Sequence, residues 1–149
     1  MPTTIFEAKP YDEARARRRT IQITAAIVVV LAVAFLLWWF RYWPVERRVD
    51  KFFDALQTHN FEQAYALWMN DPNWKQHPEK YARYSFNEFM TDWGPSGEWG
   101  LIKTHKVDGA AQPHGGGSGV IVQVTVNDRA EKARIWVEKS DKTMHFSPY

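Results

Sequence analysis

The feature that most constrains this chain is residues 20–40, TIQITAAIVVVLAVAFLLWWF, whose last 16 residues, from Ala25 onward, are apolar without interruption. At 1.5 Å per residue, residues 21–40 make a helix of roughly 30 Å, about the thickness of a bilayer's hydrocarbon core. The leading reading is a retained membrane anchor. A secretory signal peptide competes with it, because Arg15, Arg17, Arg18 and Arg19 give the basic start and Ala32-Val33-Ala34 matches a small-x-small cleavage site. Against cleavage, the apolar run continues past Ala34 to Phe40, beyond the roughly 7 to 15 residues of a signal core. A buried helix of a soluble protein is the third reading. With no cysteine in the chain, a lipid-modified cysteine anchor is excluded.

Orientation follows from the flanking charges. Lys9, Arg15, Arg17, Arg18 and Arg19 precede the span, and Arg41, Arg47, Arg48 and Lys51 follow it, so position decides more than number. Three arginines abut the N-terminal edge, whereas Arg41 lies inside the aromatic belt WWFRYW, which suits either interface. The expected topology puts the N-terminus in the cytoplasm and the C-terminal domain outside it, with a bacterial inner membrane as the setting. Trp38, Trp39 and Trp43 are expected at headgroup level, with membrane lipids as partners. The organisation read from the sequence is a basic tail (1–19), a transmembrane helix with its aromatic belt (20–43) and one extracytoplasmic domain (44–149). The belt runs into Pro44 without a flexible linker, which is expected to keep the domain against the bilayer.

Residues 44–149 carry 13 Lys and Arg against 14 Asp and Glu, so the overall positive balance belongs to the tail and the membrane edge. That balance excludes a basic nucleic-acid surface, and no nucleic-acid partner is expected. Val45, Val49, Phe52, Phe53 and Leu56 recur at helical spacing behind Pro44, which suits a first helical position. Asn60 reads as an N-cap, with Gln63 three residues on and Phe61, Ala64, Tyr65 and Trp68 as a second stripe. A third helix is expected from about Pro78, carrying Tyr81, Tyr84, Phe86, Phe89, Met90 and Trp93, and ended by Gly94 in a left-handed cap followed by Pro95. The period then changes to two, and strands are expected at 99–107, 120–126, 133–138 and 143–146. Short turns at 127–129 and 140–142 make neighbours antiparallel, and the glycine-rich stretch 109–119 reads as a flexible hairpin loop. The expected fold class is α+β: about three helices packed on a curved antiparallel four-stranded sheet behind one transmembrane helix.

The order of these elements, with VDKFFDALQTHNFEQAYALW in the helix pair and FNEFM in the third helix, resembles the nuclear transport factor 2-like superfamily. The resemblance covers residues 44–149 and rests on pattern. Such a likeness implies a cone of sheet and helices that serves small enzymes, ligand-binding domains and membrane-anchored assembly subunits alike. The layout of tail, span and domain is also similar to the inner-membrane scaffold subunit of type IV secretion systems, with no motif that transfers residue by residue.

An enzyme of that superfamily would bury an acid or base inside the cone. Asp54, Asp92, His105, His145, Tyr65 and Tyr84 are the residues of suitable type, with Asp92, His105 and His145 the candidates to line a pocket and Asp54 expected on the solvated flank of its helix. The five histidines lack the i, i+4 or H-x-H spacings that pair ligands, so neither a metal nor another cofactor is expected. GGGSG leads straight into a strand rather than a helix N-terminus, unlike a phosphate-binding loop, and no nucleophile-elbow motif is present. Trp136 alternates out of phase with Ala133, Ile135 and Val137, which leaves two readings open. It is either an outward anchor for a partner or the membrane surface, together with Ile121, or a structural residue in a second packed layer or a cross-strand pair with Ile121. Functionally, the leading expectation is a non-enzymatic binding or scaffold module whose partners are other subunits of a membrane complex. The alternative is a membrane-proximal pocket domain that binds or transforms a small apolar ligand.

Overall fold

The computed structural model describes residues 12–149; Lys9 and most of the expected tail lie outside the described residues. The chain forms two units, one ending at Arg41 and the other Tyr42–Tyr149. In the first, helix α1 (Glu13–Trp39) is capped by Asp12, whose side chain accepts the Arg15 N–H at 3.1 Å. Thr20 donates back to the Ala16 carbonyl at 3.0 Å, which satisfies its hydroxyl where the apolar run begins. No residue of α1 is buried, and the helix is long and apolar enough to cross a membrane. At its far end Phe35 packs on Trp38 and Trp39, and the Arg41 guanidinium lies 5.0 Å from the Trp38 ring centroid.

In the second unit the apolar stripe of α2 (Trp43–Gln57) buries Val49, Phe52, Phe53, Ala55 and Leu56. α3 (Phe61–Met69) starts at Asn60, which accepts the Gln63 N–H, and ends at Asn70 in the left-handed conformation that asparagine tolerates (φ 51°). Arg48 of α2 joins the two helices by donating to the Leu67 carbonyl (2.9 Å) and to the Asn70 side chain (2.7 Å), so a cation meets the open carbonyl end of α3. Asn70 in turn donates to the Asp141 carbonyl, 71 residues away.

The expected third helix is divided. Two 3-10 turns (Trp74–Gln76 and Pro78–Tyr81) precede α4 (Phe86–Trp93), because Ser85 and Glu88 form a capping box that starts a new helix. Gly94 ends α4 with φ −76°, an extended rather than left-handed conformation. Glycine is required there for space: a Cβ would sit 2.2 Å from the Met90 carbonyl oxygen.

Four antiparallel strands follow in sequence order: β1 (His105–Ala111), β2 (Gly119–Val126), β3 (Lys132–Glu138) and β4 (Met144–Phe146). The inner face carries Val120, Val122, Val124, Val126, Ala133, Ile135 and Val137, all buried as the alternation requires. α2 packs over β1 and β2, and α3 over β4, which gives the α+β architecture. β1 starts six residues later than expected. Successive turns bonded at Gly97 and Gly100, the latter at φ 63°, keep residues 94–100 irregular and turn Trp99 into the core. Asn127, in the β2–β3 turn, then ties down the next segment by accepting from Lys103 N and donating to the Leu101 carbonyl. β1 also continues to Ala111, shortening the glycine-rich loop to 112–118.

Phe52 touches Phe53, Trp68, Phe89 and Trp93 at ring separations of 5.2–6.2 Å, so it is the centre of the core. Phe52→Ala is expected to lower unfolding stability by about 3–5 kcal/mol, and Ser85→Ala by about 1 kcal/mol, in urea titrations followed by near-ultraviolet circular dichroism. A Phe52→Ala variant as stable as the wild type would refute this assignment of the core.

Candidate functional site

The space between helices and sheet, where a pocket enzyme would hold its acid or base, is occupied. Phe52, Phe53, Trp68, Phe89, Trp93 and Met144 are each at most 2% exposed. Phe146 of β4 stacks on Trp93 at 5.6 Å and 7°, half-exposed, closing one side of this aromatic cluster.

The candidate groups lie outside the cluster. His105 is the most constrained, with its ring stacked on Phe53 and its side chain 7% exposed. Nδ1 is 2.9 Å from Gln57 Oε1, while Nε2 faces Asp50 Oδ1 at 3.2 Å and Asp54 Oδ1 at 3.6 Å. The i, i+4, i+7 spacing of Asp50, Asp54 and Gln57 puts all three on one face of α2, and the first residue of β1 meets them there. Asp54 is on the solvated flank of α2, as the sequence indicates, with its side chain 64% exposed. The groove at this junction, about 650 Å³, has four carboxylates (Glu46, Asp50, Asp54, Asp108) and three cations (Arg47, Lys51, Lys106) in its walls. Among the described residues lining it there is no hydroxyl or thiol nucleophile.

Asp92 and His145 do not join His105. Asp92 accepts from the Tyr84 hydroxyl at 2.9 Å, and Tyr65 donates to the Tyr84 carbonyl at 2.7 Å. Burial pushes the Tyr65 phenol up to about 12; burial and, after it, the Asp92 carboxylate raise Tyr84 further, so both phenols serve as neutral donors. His145 is exposed on β4, near Thr143 Oγ1 at 3.1 Å. Among the described residues no group of three or more His, Asp or Glu is arranged to hold a metal ion.

Trp136 occupies the outer face of β3, opposite Ile121 in the β2 register. Its ring lies against the backbone of Gly117 and Gly119, near Tyr149 at 5.9 Å, and Nε1 donates to Glu138 at 2.6 Å. A Cβ at Gly119 would fall 2.3 Å from the indole. The loop therefore leaves Trp136 only 8% exposed. Larger apolar exposure in the domain belongs to Trp43 (50%), Leu101 (44%), Phe146 (48%) and Tyr149 (64%). In the first unit Trp38 and Trp39 are more than half exposed, and Arg15, Arg17, Arg18 and Arg19 are exposed on the first turns of α1.

One polar cluster escapes sequence reading. Asp71 accepts from the Tyr81 hydroxyl (2.5 Å), from the His77 ring and from the Asn73 N–H (2.8 Å), which pins the turns that follow α3. The Asp71–Asn73 contact is legible as an Asx turn; the other two partners depend on the 3-10 turns. No protein-family model, curated protein or solved structure matches the chain.

The Tyr81 hydroxyl first, and then the His77 ring, hold the Asp71 carboxyl down at about 2. A depressed carboxyl stabilises the fold fully above its unfolded value of about 3.9, and this contribution disappears as pH falls through about 2. Wild-type stability is therefore expected to drop between about pH 4 and pH 2 more steeply than that of Asp71→Asn. Parallel urea midpoints across that window would disprove the role given to Asp71.

Proposed function

We propose that the chain is a single-pass membrane-anchored binding or scaffold module, an accessory subunit or assembly factor of a larger membrane protein complex. In this reading α1 spans a bacterial inner membrane with its arginine end in the cytoplasm, and the domain, of nuclear transport factor 2-like pattern, works on the other side. The observation that carries the proposal is the filled interior. Where a pocket domain would admit a ligand, six aromatic and sulfur-containing side chains are packed at 2% exposure or less, and a closed core leaves surface contact as the means of action. The polar α2–β1 groove does not favour an apolar ligand, because its walls carry seven charged side chains.

Phe146 and Tyr149 are the proposed contact residues on the domain. Both are large, apolar and about half or more exposed, the composition enriched at the centres of protein interfaces. Tyr149 lies beside Trp136 on the outer face of the sheet, and Phe146 lies on the helix-facing side of β4, against Trp93.

Extraction of the full chain in a mild detergent, followed by mass spectrometry, is expected to recover integral membrane proteins with it. Tyr149→Ala should reduce that recovery several-fold, with near-ultraviolet circular dichroism confirming an intact core, whereas His105→Ala should not. Wild-type protein that emerges alone, or a Tyr149→Ala variant that keeps every partner, would defeat the scaffold reading.

A further inference from the structure

The structure places Arg15, Arg17, Arg18 and Arg19 on helix rather than in a disordered tail. At about 100° per residue, Arg19, Arg17 and Arg18 lie roughly 40°, 200° and 300° around the axis from Arg15, within an axial rise of about 6 Å. They form an open collar covering an arc of about 200° around α1, wider than a stripe along one face. All four are exposed, and the carboxylates nearby on the described chain are Asp12, which is 3.8 Å from Arg15, and Glu13. The opposite end of the span is different in kind: Arg41 is stacked on Trp38, beside Trp39.

From this arrangement we infer that the open collar is a binding site for anionic phospholipid headgroups, an arc of phosphodiesters along the helix where it enters the apolar layer. The inference rests on the membrane-anchored reading and deepens it. An acidic groove on a protein partner would engage one face of the helix and leave the remaining guanidiniums unpaired. Lipids approach from every side. The guanidinium fork matches phosphate oxygens bidentately, and Thr20, bonded back to Ala16, marks the start of the apolar layer just beyond the collar. A zwitterionic headgroup supplies the same phosphate with its own ammonium attached, so the collar should select lipids lacking that cation.

The test reconstitutes the full chain in phosphatidylcholine vesicles containing a minority of phosphatidylglycerol. Patches are excised with a styrene–maleic acid copolymer, and the lipids that stay with the protein are quantified. Phosphatidylglycerol should be enriched around the wild type by about fivefold over the bulk, the factor that corresponds to one arginine at an anionic surface. Enrichment should fall to the bulk ratio in R15Q/R17Q/R18Q/R19Q, and salt titration of the wild type should weaken it progressively. A wild type that inserts but carries lipid at the bulk ratio overturns the collar and leaves the anchor standing. Enrichment that ignores salt, or persists in the glutamine variant, also overturns it. A wild type that alkaline extraction removes from the vesicles overturns the anchor and the collar together.

Discussion

Edge-to-face contact between Phe52 of α2 and Trp93 of α4, 5.2 Å apart, is the interaction on which the domain depends. Phe53 and Trp68 meet the same Trp93 ring at 5.6 and 5.5 Å, so three helices converge on one indole. Aromatic rings bury large area with few rotatable bonds, which lets a domain of this size, in a chain without cysteine, form a single core. The inner valines of β2 and the inner row of β3 provide the wall against which these rings pack. Between the helices and the sheet, the space is filled by these aromatic side chains.

Much of this was legible because it obeys simple periods. The α2 stripe, the Asn60 cap, the inward valines of β2 and the two short hairpin connections after β2 and β3 all follow from 3.6- and 2-residue repeats and turn chemistry. Errors arose where a local hydrogen bond overrode the period. Tyr81 and Tyr84 read as the first turns of the helix that carries Phe86 and Phe89, yet the Ser85–Glu88 capping box starts α4 afresh between them. Trp99 and Leu101 alternate like a strand, yet the turns at Gly97 and Gly100 and the side chain of Asn127 hold that segment outside the sheet.

The candidate site was less legible for a related reason. Parity fixes which face a strand residue takes, so Trp136 is correctly separated from Ala133, Ile135 and Val137. Parity does not say what covers that face, and the cover here is the glycine loop, whose missing side chains admit the indole. His105 likewise finds Asp50, Asp54 and Gln57 across some fifty residues of sequence, a distance over which spacing rules carry no information.

The bulge in β1 has a consequence for how this domain can associate. Pairing with β2 skips Asp108, and that side chain turns to Thr125 (2.7 Å) and Lys132 (3.1 Å), forming a polar ladder across three strands. A bulged strand flanked by Lys106 is a poor template for a neighbour's backbone, so this margin resists continuous-sheet polymerisation. Under the proposed anchoring, the chain would meet copies of itself often in the plane of a bilayer, and this irregularity guards against runaway stacking, leaving side-chain surfaces to determine which neighbours are held.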